Sequence, residues 1–176
     1  MNVGTPIEVA RTRNKKVLSA IIKVPVNGPV AVGKLNLDGD RQADLSVHGG
    51  ENKAVYVYPS EHYEFWQEKF PRMEMPWGTF GENLTTEGLL ESKVRIGDHF
   101  IIGSAKFEVT QPRFPCFKLG IRFEDDSIIK SFLDSERTGY YLKVLKEGVV
   151  EAGDQISLVD SNKNLRTITS IVRDEK

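Results

Sequence analysis

The chain has 176 residues, of which 39% are apolar, and it carries 24 basic and 25 acidic residues, for a net charge of −1. Domains usually contain about 100–200 residues, so we expect residues 1–176 to form a single domain. The balanced charge excludes the basic surplus typical of nucleic-acid binding. No apolar run approaches the length of about 18 residues needed to cross a membrane, and residues 1–9 lack the pattern of a signal peptide. Cys116 is the only cysteine, which excludes an internal disulfide, and we expect a cytoplasmic protein.

Short β-rich segments separated by glycine turns make up most of the chain. They predict strands at residues 17–26, 32–37, 54–58, 94–96, 99–102, 106–110, 140–145, 156–159 and 167–172. Apolar residues at helical spacing predict two helices, at residues 60–70 and 125–135. Because many short strands accompany few helices, we expect a mainly β fold, either a barrel or a mixed sheet with helical decoration.

Cys116 lies in the segment QPRFPCFK, residues 111–118. A lone cysteine is often a small buried hydrophobic residue. Here Arg113 and Lys118 flank it, and nearby cations lower the pKa of a thiol toward the thiolate, which is the nucleophilic and metal-binding form. The two prolines favour an extended segment after a strand. The residues alone therefore leave a structural and a functional cysteine open.

Two polar, glycine-rich segments are further candidates. The segment VHGGENKA at residues 47–54 places His48 and Lys53 on either side of a glycine pair, where they could hold an anion, or the segment is a tight turn. The segment GTFGENL at residues 78–84 contains Asn83 and is either a binding loop or a polar turn between strands. Lys23 is a cation within an apolar strand pattern, where such residues usually reach solvent.

Several classes of site are excluded by the residues themselves. Histidine occurs only at positions 48, 62 and 99, so with one cysteine no zinc site of the usual Cys/His spacing is present. Neither the nucleophile motif Gly-x-Ser-x-Gly nor the dinucleotide-binding motif Gly-x-Gly-x-x-Gly occurs. Carboxylates are plentiful, but no pair stands out for hydrolysis.

Four motifs in order resemble the MOSC domain, the C-terminal domain of molybdenum cofactor sulfurases. They are HGG at residues 48–50 with Lys53 and Tyr56, GENL at 81–84, RIGD at 95–98 and QPRxPCxKL at 111–119. The resemblance covers about residues 15–160 and is greatest to the stand-alone bacterial members of YiiM type, which are linked to 6-N-hydroxylaminopurine resistance. It implies a MOSC-type β-barrel.

The resemblance also implies a ligand, the molybdenum cofactor, which is a phosphorylated pterin with a dithiolene-bound metal. Cys116 matches the motif cysteine, so it is expected to ligate molybdenum and to be the catalytic residue. A soft thiolate suits a metal that already has sulfur ligands. The expected cofactor-binding residues are Lys23, His48, Lys53, Asn83, Arg113 and Cys116. Lys23 is assigned only by its position before Val24-Pro25.

The activity that the resemblance implies is molybdenum-dependent reduction of N-hydroxylated nucleobases or amines. Electrons would come from an external protein, a flavin or iron–sulfur reductase, because no motif for a redox cofactor of this kind is present and one cysteine cannot hold a four-cysteine cluster. The sulfurase branch has a preceding pyridoxal-dependent domain, for which 176 residues leave no room, so we expect a pyridoxal-independent activity. A cofactor carrier, a persulfide carrier and a homodimer are left open.

Overall fold

The structure, a computed structural model, describes residues 1–12, 15–41 and 49–176. The strands are β1 (Asn2–Val3), β2 (Ile7–Thr12), β3 (Lys15–Ser19), β4 (Val24–Pro25), β5 (Val30–Val32), β6 (Val55–Pro59), β7 (Leu84–Thr86), β8 (His99–Ile102), β9 (Ala105–Pro112), β10 (Tyr140–Lys146), β11 (Gly148–Val150) and β12 (Ile156–Asp160). The helices are α1 (His62–Lys69), α2 (Phe117–Phe123), α3 (Ser127–Asp134), α4 (Ile168–Asp174) and a short 3-10 helix (Glu51–Lys53).

A curled sheet of six strands forms the centre of the molecule. Its order is β12-β8-β9-β10-β6-β7, with antiparallel pairs throughout except for the parallel pair of β6 and β7. Within the described residues, three two-stranded sheets pair β1 with β4, β5 with β11, and β2 with β3. The mainly β fold is thus confirmed, and the large sheet is a half-barrel open at β12 and β7.

Strand β6 separates two hydrophobic clusters because successive side chains of a strand point to opposite faces. Val55 and Val57 pack into one cluster together with the apolar residues of β8, β9 and β10. Tyr56 and Tyr58 face the other cluster, which includes aromatic residues of α1 and α3. All four side chains are buried, as expected for a strand covered on both faces. The tyrosine face of this strand is the one that borders the candidate site.

Most of the predicted elements are confirmed. The helices predicted at 60–70 and 125–135 are α1 and α3, each slightly shorter than expected. The strands predicted at 54–58, 99–102, 106–110, 140–145 and 156–159 are β6, β8, β9, β10 and β12. Among the described residues, no helix has the length and apolar character that a membrane crossing requires.

Three predicted strands are wrong in extent or absent, because local turns interrupt them. The chain leaves β3 at Ser19, whose hydroxyl accepts a hydrogen bond from the Ile21 N–H at 3.2 Å, so residues 17–26 are not one strand. Residues 33–36 form a turn after β5. Residues 94–96 make only an isolated bridge, since the carboxylate of Asp98 turns the backbone by accepting from the Arg95 N–H at 2.8 Å.

The strand predicted at 167–172 is a helix, α4. Its β-branched residues favour a strand. However, the Thr167 hydroxyl caps the first turn by accepting from the Ser170 N–H at 3.2 Å. Ile168 and Val172, four residues apart, are then both fully buried on one helix face. Helix α2 was also not predicted, because the motif around Cys116 was interpreted as an extended loop.

Gly139 is a position where the fold requires glycine. Its φ is +65°, and a Cβ there would lie 2.3 Å from the backbone oxygen of Val57. We expect Gly139→Ala to lower the free energy of unfolding by about 1–3 kcal/mol more than Gly88→Ala. Gly88 also has a positive φ, +82°, but nothing lies within 4 Å of its Cβ position. Urea unfolding of both variants tests this, and equal losses would contradict the proposed close contact.

Candidate functional site

A cleft lies where the segment after β3, the loop before β7 and the segment between β9 and α2 meet. Five cationic side chains belong to its described lining: Lys23, Arg41, Lys53, Arg113 and Lys118. Asp40 is the one acidic residue in that same described lining. The cleft thus has a surplus of positive charge, which favours an anionic ligand. The cleft is partly open to solvent and has a volume of about 110 Å³.

Arg113 is the buried cation of this cleft, with 6% of its surface exposed. Its guanidinium lies between the rings of Tyr56 and Phe132, at 5.4 Å and 5.0 Å from their centroids. Tyr141 lies close enough to the guanidinium for the two groups to interact electrostatically. Its Nη1 atom is buried and has no hydrogen-bond partner among the residues that the structure describes. A buried donor of this kind is unfavourable until an acceptor binds it, so the geometry points to a ligand oxygen.

The ionisation of Arg113 and Tyr141 follows from this arrangement. Burial alone would lower the pKa of Arg113, but the nearby Tyr56, Tyr141 and Cys116 raise it above its usual value. Burial raises the pKa of Tyr141, which Arg113 opposes. At neutral pH the cleft therefore holds a charged guanidinium beside a protonated tyrosine.

Cys116 lies at the junction between β9 and α2. Its backbone is extended, with φ −127° and ψ 172°, and it is the N-cap residue of α2. The thiol is partly exposed and lines the cleft, and it interacts electrostatically with Arg113. The extended segment predicted before Cys116 is present, and helix α2 begins directly after it. The structure thus places the thiol on a surface that a ligand can reach.

Lys23 and Asn83 line the same cleft but have partners within the protein. The ammonium of Lys23 contacts the carboxylate of Asp40, which also accepts from the Asn83 side-chain amide at 2.8 Å. The amide oxygen of Asn83 accepts from the Tyr56 N–H at 3.0 Å. Burial lowers the pKa of Lys23, and Asp40 opposes this. The ammonium charge is therefore balanced locally, and Asn83 ties β6 to the cleft wall.

Of the remaining predicted residues, Lys53 lines the cleft and His48 lies outside the described residues. Lys53 lies at the end of the 3-10 helix, is half-buried and lines the cleft. His48 lies outside the described residues, although the next residue, Gly49, lines the cleft. The structure thus brings Lys23, Lys53, Asn83, Arg113 and Cys116 to one cleft. Their binding roles stay predictions.

The loop at 78–84 is held by a buried carboxylate. Glu82 accepts hydrogen bonds from the Gly78 N–H at 2.7 Å and the Phe80 N–H at 3.1 Å, and also from the hydroxyls of Tyr63 and Thr85. Burial raises the pKa of Glu82, and these donors oppose it. Glu82 therefore shapes the loop, while its neighbours Phe80, Gly81 and Asn83 reach the cleft.

Some lining residues were not predicted. The sequence predicts only a strand at residues 140–145, but the side chain of Tyr141 points to the cleft while Tyr140 packs in the core. The alternation of side chains along β10 was the available signal. Arg41 and Phe114 had no signal in the sequence beyond being a cation and an aromatic residue near the motifs.

Comparison with known proteins identifies the family. The family model of the MOSC domain matches residues 44–157, so the chain belongs to the MOSC domain family. Protein YiiM of Escherichia coli is 41% identical over 143 residues, 80% of this chain and 64% of that protein. A protein of Gibberella moniliformis named "Reductase" is 36% identical over 166 residues, 89% of this chain and 29% of that protein. The chain thus spans less than two thirds of either relative.

A solved structure supports the same assignment. The crystal structure of YiiM from Geobacillus stearothermophilus matches with a TM-score of 0.81 and 37% sequence identity, covering 99% of this chain and 80% of that one. The predicted MOSC-type fold and the resemblance to the YiiM type are thereby confirmed.

The pair of Lys23 and Asp40 yields a stability prediction. Breaking a buried ion pair by removing one partner leaves an uncompensated charge, which costs about 3–5 kcal/mol. We expect Lys23→Met to lower the free energy of unfolding by this order. The matched control is Lys16→Met, because Lys16 pairs with Glu8 at 3.1 Å on the exposed surface, and such pairs contribute about 0–1 kcal/mol. Denaturant unfolding measures both, and similar losses would show that the pair at Lys23 is not a buried constraint.

Proposed function

We propose that this protein binds the molybdenum cofactor in the cationic cleft and reduces N-hydroxylated nucleobases or amines. The observation that carries the proposal is the presence in one cleft of a reachable thiol, Cys116, and the buried guanidinium of Arg113, which has a donor without a partner among the described residues. The first is suited to a soft metal and the second to a phosphate. Membership of the MOSC domain family supports this choice of ligand.

The residues present fit the two chemically different ends of such a cofactor. The phosphate would bind Arg113 through Nη1, with Lys53 and Lys118 adding positive charge. The metal would bind the thiolate of Cys116. Lys23 would contribute little direct charge, because Asp40 already neutralises it.

The overall reaction is balanced as R–NH–OH plus two electrons and two protons giving R–NH₂ and water. The N–O bond breaks, and new N–H and O–H bonds form. The bound cofactor supplies the two-electron chemistry, and an external flavin or iron–sulfur reductase supplies the electrons. Arg113 would hold the anionic end of the cofactor, and Cys116 would fix its metal. Tyr141 keeps its proton, because burial raises its pKa, and it lines the cleft beside Arg113.

A curated relative supports a redox role. The protein from Gibberella moniliformis that is 36% identical to this chain is named a reductase. Because this chain spans only 29% of that protein, its activity enters here as support for the proposal alone.

The deciding experiment uses protein purified from a host that makes the molybdenum cofactor and from a matched host that does not. Molybdenum per chain and pterin fluorescence measure binding. Loaded protein, 6-N-hydroxylaminopurine and a chemical electron donor then test turnover by the formation of adenine. Bound molybdenum with adenine formation supports the proposal. Bound molybdenum without adenine would favour a cofactor carrier, and a stable extra sulfur on Cys116 without metal would favour a persulfide carrier.

Cys116→Ser tests the proposed metal ligand. A hydroxyl is a poorer ligand for a soft metal, so we expect loss of molybdenum and of adenine formation, with an unchanged thermal unfolding midpoint in protein from the cofactor-free host. Elemental analysis and a melting curve measure this. Retained molybdenum in the variant would remove Cys116 from the site.

Arg113→Gln tests the proposed phosphate contact. Loss of a charged hydrogen bond should weaken cofactor retention by about 1–3 kcal/mol. The control is Arg72→Gln, because Arg72 is exposed and lies outside the cleft lining. Molybdenum content after dialysis compares the two variants. Equal retention would show that Arg113 does not hold the cofactor.

A further inference from the structure

An exposed aromatic ring stands beside the thiol. Phe114 lines the cleft together with Cys116, and 44% of its surface is exposed. Exposure of a large apolar side chain forgoes the free energy that its burial would provide. Single exposed apolar residues are common on proteins, but this one faces a ligand cleft rather than open surface. The ring is therefore available to a molecule bound next to Cys116.

The local backbone restricts where this ring can go. Phe114 precedes Pro115, and a residue before proline is confined to extended conformations. Pro112 is the last residue of β9, so the segment starts from the central sheet. The next residue back, Arg113, is anchored between Tyr56 and Phe132. The backbone that carries Phe114 is thus restrained on both sides.

The spacing along this segment suits a flat molecule. Phe114 and Cys116 are two residues apart and both line the cleft, which in extended chain corresponds to a separation of about 7 Å between their backbone positions. A purine ring system stacked on the phenylalanine could therefore extend toward the sulfur side of the cleft. Aromatic side chains bind nucleobases through their flat faces whatever the base, so this contact recognises the ring rather than its substituents.

We propose that Phe114 is a stacking platform that makes the site selective for aromatic N-hydroxylated compounds over aliphatic hydroxylamines. The inference rests on the proposed reductase function, because it assigns the substrate of that site. Phe114 contacts the ring, and the cations of the cleft bind the cofactor. Selectivity then arises from a residue that neither holds the metal nor pairs with the phosphate.

The test compares Phe114→Leu and Phe114→Trp with the wild type, all loaded with molybdenum. The control is Trp77→Leu, since Trp77 is also exposed, at 48%, but lies outside the described lining of the cleft. Calorimetry measures the Kd of 6-N-hydroxylaminopurine without an electron donor. Kinetics measure kcat/KM for this substrate and for N-methylhydroxylamine. Molybdenum per chain is measured for every variant.

We expect Phe114→Leu to raise the Kd of 6-N-hydroxylaminopurine about tenfold or more, the size of one base–aromatic stack, and to lower the aromatic-to-aliphatic ratio of kcat/KM by a similar factor. Phe114→Trp should retain binding, and Trp77→Leu should match the wild type. An unchanged Kd, or no purine binding by the wild type, would overturn the inference.

The calorimetric arm also separates this inference from the proposed function. If loaded wild-type protein binds the purine but forms no adenine, the reductase proposal fails, and the Kd of Phe114→Leu still decides whether the ring is a platform. If both substrates lose kcat/KM equally in Phe114→Leu, the residue is structural and the inference is wrong.

Discussion

The placement of one buried guanidinium determines the character of the cleft. Moving a charge out of water is unfavourable unless the protein supplies compensating contacts. For Arg113 these contacts are the faces of Tyr56 and Phe132, with Tyr141 nearby. The register of the sheet brings the tyrosines together, because Tyr141 of β10 lies opposite Tyr56 of β6. The compensation is incomplete at Nη1, which has no partner in the described part of the chain, and this donor supports the proposal that the cleft binds an anion.

Lys23 is a cation in the same cleft whose charge is compensated within the protein. Its side chain is also mostly buried, with 8% of its surface exposed, but Asp40 neutralises it and Asn83 holds Asp40 in turn. Such a pair gives the wall a defined geometry without adding net charge. Cations that line one cleft can therefore have different roles. Lys23 forms an internal ion pair, whereas Arg113 keeps a donor available to a ligand. The distinction depends on the nearest carboxylate rather than on the type of residue.

Much of the fold and the cleft was predictable because the signals are local. Alternating valines and tyrosines define β6, and the motif around Cys116 places a thiol near cations in the sequence itself. Some errors come from local turns at Ser19 and Asp98, and others have a non-local cause. Asp40 meets Lys23 across 17 residues of chain, which no spacing rule reveals. The strand predicted at 167–172 failed because burial of Ile168 and Val172 on a single helix face outweighed β propensity. His48 lies outside the described residues, so its predicted role stays a prediction.

The five residues from Pro112 to Cys116 perform three structural roles: they tie the segment to the sheet, place a cation in an aromatic pocket, and expose side chains to the cleft. The strand ends at Pro112, which ties the segment to the sheet, and Arg113 turns into the aromatic pocket. Phe114 and Cys116 remain partly exposed on the cleft side. A thiolate at this position would be stabilised by the guanidinium beside it, because a cation lowers the free energy of the charged form. Since the same guanidinium also offers a donor to a bound anion, the sulfur and the anion share one source of positive charge. Binding at one would therefore alter the electrostatic stabilisation of the other, which couples the two ends of any ligand that spans them.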